Sequence, residues 1–558
     1  MKYMLAVIMS IVSTAVCAQI RIDGRRVLYD GESNTMLATI PETDFNKSKR
    51  YTVELEEGWS NLKINGTTVN SSYYFNSIKA GKTYPITIRY KDQYIITSNI
   101  TFTFLPIMLI EGDFGYEYQK GKVSLYSPDG EVNDTLSATL KWRGGSTNTD
   151  EKHKRNYKIK FDDDYQFFGL RKDNNWILDA GQTDLFRLRN RIATEIWNEM
   201  ARKPYYADKE PDALSGVRGR VVELFLNKEY RGIYCLTEAM DRKEMKLKKV
   251  DKKTGEIRGC LYKSISYSSS LMWNLPDTYD NNSETWDAFE VKYPEIDDTE
   301  NGETDWSTLW NAINFVAKSS DEEFRSHVAE YFDIPVLIDY YIFLYLLNCH
   351  DNIGKNMYWA IYDKTSDQRL TPAVWDLDLT VGLKFLDEYI ENATGPWSPD
   401  YTLSVNLKLY HRLINLNVGD FKTEVINRYY ELRKDILSTD QLTKKYIDYF
   451  DQLALSGAAS REESLWSEDS DIRGQVMNFE NEIYYITYWL ARHIIYLDNN
   501  VFKKSDLPVT GIHEISNENY EKSNKQYLPI YYNLQGQRIK NTNRRGLYIH
   551  NGKKIFIK

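Results

Sequence analysis

The hydrophobic pattern of this 558-residue chain changes period near residue 240, and that change constrains the fold more than any other feature. Before it, apolar and polar residues alternate, β-branched and aromatic residues are plentiful, and Asn-Gly and Ala-Gly-Lys turns punctuate the runs. RYTVELEEGWSNLKINGTTV (50–69) and TYPITIRYKDQYIITSNITFTF (83–104) are examples of such strands. After it, amphipathic helical patterns fill 305–332, 335–347, 404–435 and 475–500. A chain that places strands first and helices second reads as α+β. At roughly 100–200 residues per domain it holds about three units.

Residues 1–18 read as a secretory signal. Lys2 supplies the basic start, Met4 to Val16 the apolar stretch, and Val16-Cys17-Ala18 a small-residue site with cleavage expected after Ala18. No later stretch has the ~18 consecutive apolar residues of a membrane span. Residues 19–105 are expected to form an all-β, sandwich-like domain, and 510–558 a small C-terminal β unit bent at Asn551-Gly552, a two-residue hairpin signal. Between them, 106–505 reads as one larger unit, β-rich to about 235 and helical afterwards. The formal net charge of −9 argues against non-specific binding to nucleic acid, which needs a basic surface. Beyond Cys17, Cys235, Cys260 and Cys349 are too few and too far apart for a zinc site or a disulfide framework. They read as buried thiols, so cores must stabilise the fold.

The chemistry concentrates after one helix. Residues 333–348, DIPVLIDYYIFLYLLN, carry Asp333 as an expected N-cap and Pro335 in the first turn. The run is apolar nearly all round, so the helix is buried. CHDNIGKN (349–356) therefore leaves a core element at a fixed place. MYWAIYD, a polar turn KTSDQ and RLTPAVWDLDLTVG follow as a β-hairpin. With the turn centred near Ser366, partner numbers sum to about 732, which sets Asn356 opposite Asp376, with Asp378 on the same face as Asp376. An Asp, an Asn five residues on and a further Asp on the next strand are the groups phosphoryl transfer uses. Asp351 would accept the proton of an acceptor hydroxyl, while Asn356 and Asp376 or Asp378 would hold a hard cation such as Mg²⁺. Crowded carboxylates at a strand end favour a cation between them. For His350 a structural role is preferred to a catalytic one.

A lysine for phosphate is offered by RNYKIKF (155–161). Lys158 and Lys160 share one strand face, Tyr157, Ile159 and Phe161 the other, so the lysines look either into a cleft or into water. In the following helix, Glu195 could pair with that lysine or with Arg191 at i−4.

LKWRGGST (140–147), NNWILDAGQTDLFRLRNRIATEI (174–196), VVELFLNKEYRGIYCLTE (221–238) and VWDLDLTVG (374–382) follow one another in an order that resembles the CotH kinase family. The resemblance implies a two-lobe, atypical protein-kinase-like domain that transfers phosphate from ATP to a protein, with Mg²⁺ or Mn²⁺. It makes Asp351 the catalytic Asp and Asn356 a metal ligand, and assigns the metal-binding Asp to Asp376 or Asp378. It sets Lys158 or Lys160 on phosphate, suggests Arg143 as a second phosphate group, and puts Glu238 near the adenine. No G-x-G-x-x-G loop is present. The alternative function is a catalytically silent kinase-like surface module that binds partners. The C-terminal pattern YYNLQGQRI…GLYIHNGKKI resembles the sorting domains of Bacteroidetes secreted proteins, exported by type IX secretion. That implies a secreted or outer-surface address, with the periplasm as the other option, and contact with the outer membrane or secretion machinery. The expected partners are nucleotide and a protein substrate.

Overall fold

The fold comes from a computed structural model, which describes residues 20–145, 154–383, 406–471 and 474–507, and the strand segments 531–532, 538–539, 546–550 and 553–557. The expected signal segment, most of the C-terminal unit and the Ser-Thr of RGGST lie outside the described residues. The chain is a mixed α+β protein.

The N-terminal strands form a four-stranded and a six-stranded sheet. Their inward residues, among them Ile22, Tyr51, Val53, Phe75, Ile88, Ile100 and Phe102, share one core. This unit is docked on its neighbour. Leu28 and Leu37 pack with Ile107, Leu109, Tyr126, Phe225 and Tyr230. The Arg25 guanidinium donates to the carbonyls of Ser127 and Pro128 at 2.8 and 3.0 Å.

Seven strands between residues 107 and 238 close into a barrel. All neighbours are antiparallel except the seam, where Ile107–Glu111 pairs in parallel with Gly219–Leu226. Strand alternation fills the interior: Tyr157, Ile159 and Phe161 point into the barrel core, beside Trp176, Leu178, Val222 and Leu236. Lys158 and Lys160 therefore stand on the outer face.

The helix Arg189–Met200 lies between two barrel strands in the chain, and a separate five-stranded antiparallel sheet follows the barrel. Its order is Thr285–Trp286, Phe289–Tyr293, Cys260–Ser264, Met357–Ile361 and Thr371–Val374. The helix Ile334–Leu347 is buried at every position from Val336 onward. An apolar circumference leaves it no other place. Trp197 stacks edge-on against its Tyr340 and Phe343, and Tyr410 and Phe421 cover Tyr341. His493, from helix Phe479–Tyr496, meets the Tyr345 carbonyl at 2.7 Å. The one carboxylate within the helix, Asp339, is held by Arg202 and Arg428 at 2.9 and 3.0 Å. Asp333 stands at the N-cap position, but its side chain accepts the Tyr205 N–H at 2.9 Å rather than capping its own helix. Cys235, Cys260 and Cys349 are buried free thiols. Among the described residues no helix is long and apolar enough to cross a membrane.

Candidate active site

The hairpin that carries the expected site forms with its register one residue from the expected one. Met357 pairs with Val374 and Tyr358 with Ala373, so partner numbers sum to 731 rather than 732. A slip of one would ordinarily turn Asn356 and Asp376 to different faces. Both residues instead lie just beyond the paired strands with left-handed backbones, φ 50° at Asn356 and 59° at Asp376. That conformation, open to Asn and Asp at modest cost, re-aims each side chain. Asn352 fastens the two arms together, its Nδ2 donating to the carbonyls of Asn356 and Trp375 at 3.1 and 2.7 Å.

A cavity of about 260 Å³ opens between the outer face of the barrel and this hairpin. Its lining includes Asp351, Asn356, Asp376 and Asp378, which are brought together as the sequence suggested, and Arg143 with Gly144 and Gly145. Arg143 ends the strand Val132–Arg143, and its guanidinium lies 5.3 Å from the ring centre of Trp375. Among the described residues it makes no ion pair, so its donors face the cavity without a carboxylate claiming them.

Asp351 is the best-held group. Its Oδ1 accepts the Tyr267 hydroxyl at 2.5 Å, its Oδ2 accepts Asn356 Nδ2 at 2.7 Å, and Lys355 Nζ is 3.3 Å from both oxygens. Both its oxygens are thus already engaged within the chain. A carboxylate only accepts, so the Asn356 amide must turn its nitrogen to Asp351 and its Oδ1 elsewhere. Burial and the Asp351 carboxylate push the Tyr267 hydroxyl above its ordinary pKa.

Asp376 and Asp378 have the opposite character. Among the described residues neither receives a hydrogen bond or an ion pair. Both carboxylates line the cavity, Asp376 exposed to it and Asp378 half-buried. Enclosure in the cleft, opposed by Arg143 and Lys263, holds the Asp376 carboxyl above the usual range. Enclosure and the adjacent Asp376 charge push Asp378 well above it. Asp179 and Asp351 add to both shifts. Among the described residues no three His, Cys, Asp or Glu side chains form a ready cage for a metal. The donor set does suit Mg²⁺ or Mn²⁺: it is all oxygen, two carboxylates and an amide, and Mg²⁺ usually takes its remaining ligands from water and phosphate.

Of the expected nucleotide contacts only Arg143 lines the cavity; Lys158, Lys160 and Glu238 do not. Glu238 does not line the cavity. Its fully buried carboxylate accepts Arg218 at 2.8 Å and the Arg171 and Arg218 N–H groups at 2.7 and 3.0 Å, which braces the end of its strand. Lys160 is exposed and does not line the cavity either. Lys158 is half-buried on the same strand face as the lining residue Asn156. Burial, reinforced by Lys292, lowers its pKa. Glu195 pairs with Arg191 at 3.3 Å and accepts the Tyr449 hydroxyl at 2.5 Å, the local option rather than a lysine pair.

Several residues here had no role assigned from sequence. Asp179 accepts Asn190 Nδ2 at 2.7 Å, and Asn190 Oδ1 accepts the Leu377 N–H at 3.1 Å, tying the barrel to the WDLD segment. Both lie within the NNWILDAGQTDLFRLRN stretch, so their signal was present as pattern but not as chemistry. Lys263 lines the cavity from the strand Cys260–Ser264, where burial lowers its pKa against the pull of Glu290. Nothing in its local sequence marks it.

A family model described as CotH kinase protein matches residues 140–496, more than half of the chain. The match takes in every cavity-lining residue named above and leaves out the N-terminal sheets and the C-terminal strands. No curated protein matches the chain.

Proposed function

Because this chain belongs to the CotH kinase family, we propose that it is an atypical protein kinase that transfers the γ-phosphoryl group of ATP to a protein hydroxyl with Mg²⁺ or Mn²⁺. The observation that carries the reading is the convergence of Asp351, Asn356, Asp376, Asp378 and Arg143 on one cavity. The barrel and the helical part serve as the two lobes, with nucleotide between them. A divalent ion held there would supply positive charge to offset that of the phosphates. Asp376, Asp378 and Asn356 Oδ1 are the oxygens that would hold it. Arg143 is free to fork onto phosphate oxygens, with Lys158 the nearer of the two strand lysines. Asp351 orients the acceptor hydroxyl and takes its proton. The leader-like start and the sorting-like tail support export to a secreted or outer-surface location, with a protein as substrate.

A second reading, a silent module that binds partners, draws on one observation: both Asp351 oxygens are already engaged within the chain. Calorimetry of ATP binding, with and without Mg²⁺ or Mn²⁺, separates the two. Metal-dependent binding followed by phosphate on an added casein supports the kinase. Absence of both leaves the binding module.

A further inference from the structure

Residues 264–272, SISYSSSLM, line the cavity at Ile265 and contact the loop that carries Asp351 through Ser264 and Tyr267. The stretch is anchored at both ends. The Ser264 carbonyl accepts the Asn356 N–H at 3.1 Å. Asp287 accepts Ser268 Oγ at 2.7 Å and the Ser269 N–H at 3.0 Å. Between the anchors Tyr267 is 42% exposed, so its ring is not there to fill a core. Its hydroxyl nevertheless donates to Asp351 Oδ1 at 2.5 Å. The neighbouring Ser266 and Ser268 hydroxyls lie within 3.4 Å of each other, and Ser270 Oγ is bonded to the Ser266 carbonyl. Tyr267 is the hydroxyl of this stretch that reaches the base.

We propose that Tyr267 is a phosphoryl-acceptor site of this chain itself, modified in cis. The inference rests on the phosphotransferase reading above. The Asp351 carboxylate has the acceptor-like hydroxyl on one oxygen and the Asn356 amide on the other. Acceptor, base and metal-side asparagine thus stand in the order that transfer requires. In the step, the Tyr267 Oη–H proton passes to Asp351 Oδ1. An Oη electron pair forms the bond to the γ-phosphorus of ATP. The bond from that phosphorus to the β,γ-bridging oxygen breaks, and ADP leaves with its electrons. Asp351 then returns its proton to water. The product places a phosphate charge against the Asp351 carboxylate, so repulsion drives the modified ring off the base. Lys355, whose Nζ is 5.8 Å from the ring centre, is the nearest cation to receive it.

The test uses the full chain, treated with phosphatase, then incubated with ATP and Mg²⁺ or Mn²⁺, with casein added in parallel. Peptide mass spectrometry is expected to find one phosphoryl group on Tyr267. Its first-order rate constant should not change over a tenfold range of protein concentration. The modification should be lost in Tyr267→Phe and in Asp351→Asn. Label on casein with Tyr267 unmodified, label elsewhere on the chain only, or a rate that scales with protein concentration would each overturn the proposal and leave the kinase reading standing. No label on either protein, with no metal-dependent nucleotide binding, would overturn both.

Discussion

Replacing Asp351 by asparagine removes a charge while keeping the shape, and the surrounding hydrogen bonds say how the site adjusts. The new Oδ1 can take the Asn356 Nδ2 now received at 2.7 Å, which leaves the new Nδ2 facing Tyr267. A tyrosine hydroxyl accepts as well as donates, so it can rotate to receive that N–H. What is lost is the ionic part of the contact with Lys355, a partly exposed i,i+4 pair, about 0.3–1 kcal/mol of stability. The catalytic loss is larger. A positioned general base contributes about 10²–10⁴-fold, or roughly 3–5 kcal/mol of barrier. Asp351→Asn should therefore lower the transfer rate by about that factor, shift the melting temperature little, and leave Mg²⁺–ATP affinity intact. Asp351→Ala should differ. It leaves Asn356 Nδ2, Tyr267 and Lys355 without their acceptor, a cost of about 1–3 kcal/mol, and releases the Asn356 amide, so metal-dependent affinity falls as well. Rates from a labelled-phosphate assay and affinities from calorimetry decide the matter. An Asn variant that transfers at the parent rate would show that Asp351 is not the base. One that loses nucleotide binding, with Asn356 still held by the new Oδ1, would show that the Asp351 charge serves metal or nucleotide binding rather than proton transfer.

The carboxylate pair gives a prediction with a definite sign. Carboxyls held above their usual range bind protons more tightly folded than unfolded. Without metal, Asp378→Asn should melt above the parent at neutral pH. The gap should close as pH falls toward the ordinary carboxyl range near ~4, because the parent then becomes protonated too. Mg²⁺ should raise the parent's melting temperature at neutral pH and not that of Asp376→Asn. Of the two strand lysines, Lys158→Ala should weaken ATP binding and Lys160→Ala should leave it unchanged in the same titration. Glu462 tests the frame of the site. Its buried carboxylate accepts Arg187 at 2.7 Å, Lys154 at 3.1 Å and the Ile233 N–H at 2.7 Å. Glu462→Ala should cost about 3–5 kcal/mol in denaturant unfolding, because it leaves buried cations without their shared carboxylate.

The parts of this fold that were legible in sequence are those set by local pattern. The helix Ile334–Leu347 announced itself by an apolar circumference and a proline in its first turn. The hairpin after it announced itself by alternation around a polar turn. The closed barrel was not legible, because its seam joins Ile107–Glu111 to Gly219–Leu226 across more than a hundred residues, and neither strand records which partner it will find. The strand Cys260–Ser264, which brings Lys263 to the cavity, was missed for the same reason. The helix Thr439–Leu455 was also missed, although Leu442, Tyr446, Phe450 and Leu453 trace a helical stripe. Motif spacing singled out Asp351, Asn356, Asp376 and Asp378, which line one cavity. It could not find Asn190, Asn352 or Tyr267, whose importance lies in what they touch.

The shifted register leaves open why Asn356 and Asp376 still meet at one cavity. Pairing at 731 sets Asn356 level with Trp375, and a regular strand would have carried Asn356 and Asp376 to opposite faces. The chain leaves regular geometry at that point. Asn348, Asn356, Asp376 and Val381 all have φ between 50° and 59°. Left-handed backbone is tolerable for Asn and Asp but expensive for a β-branched valine, so something must hold it. The Val381 N–H donates to the Leu347 carbonyl at 2.8 Å, at the buried C-terminal end of that helix, and Asn352 bonds both hairpin arms. A rigid apolar element thus supports the cost of an irregular one, and the irregular one aims oxygen donors into a cavity instead of along a sheet. Left-handed non-glycine residues occur along the whole chain, but a buried β-branched valine in that conformation beside crowded carboxylates is a costly case, and such strain is found at functional sites. A scaffold kept only for its surface would have no reason to retain it. That asymmetry favours the enzyme over the silent module, and Val381→Gly provides a direct check. If the strain is held for function, the variant should lose more transfer activity than its lost stability explains, because removing this fully buried side chain itself costs about 1.5–3 kcal/mol. If it loses stability and keeps its activity, the left-handed turns serve only packing.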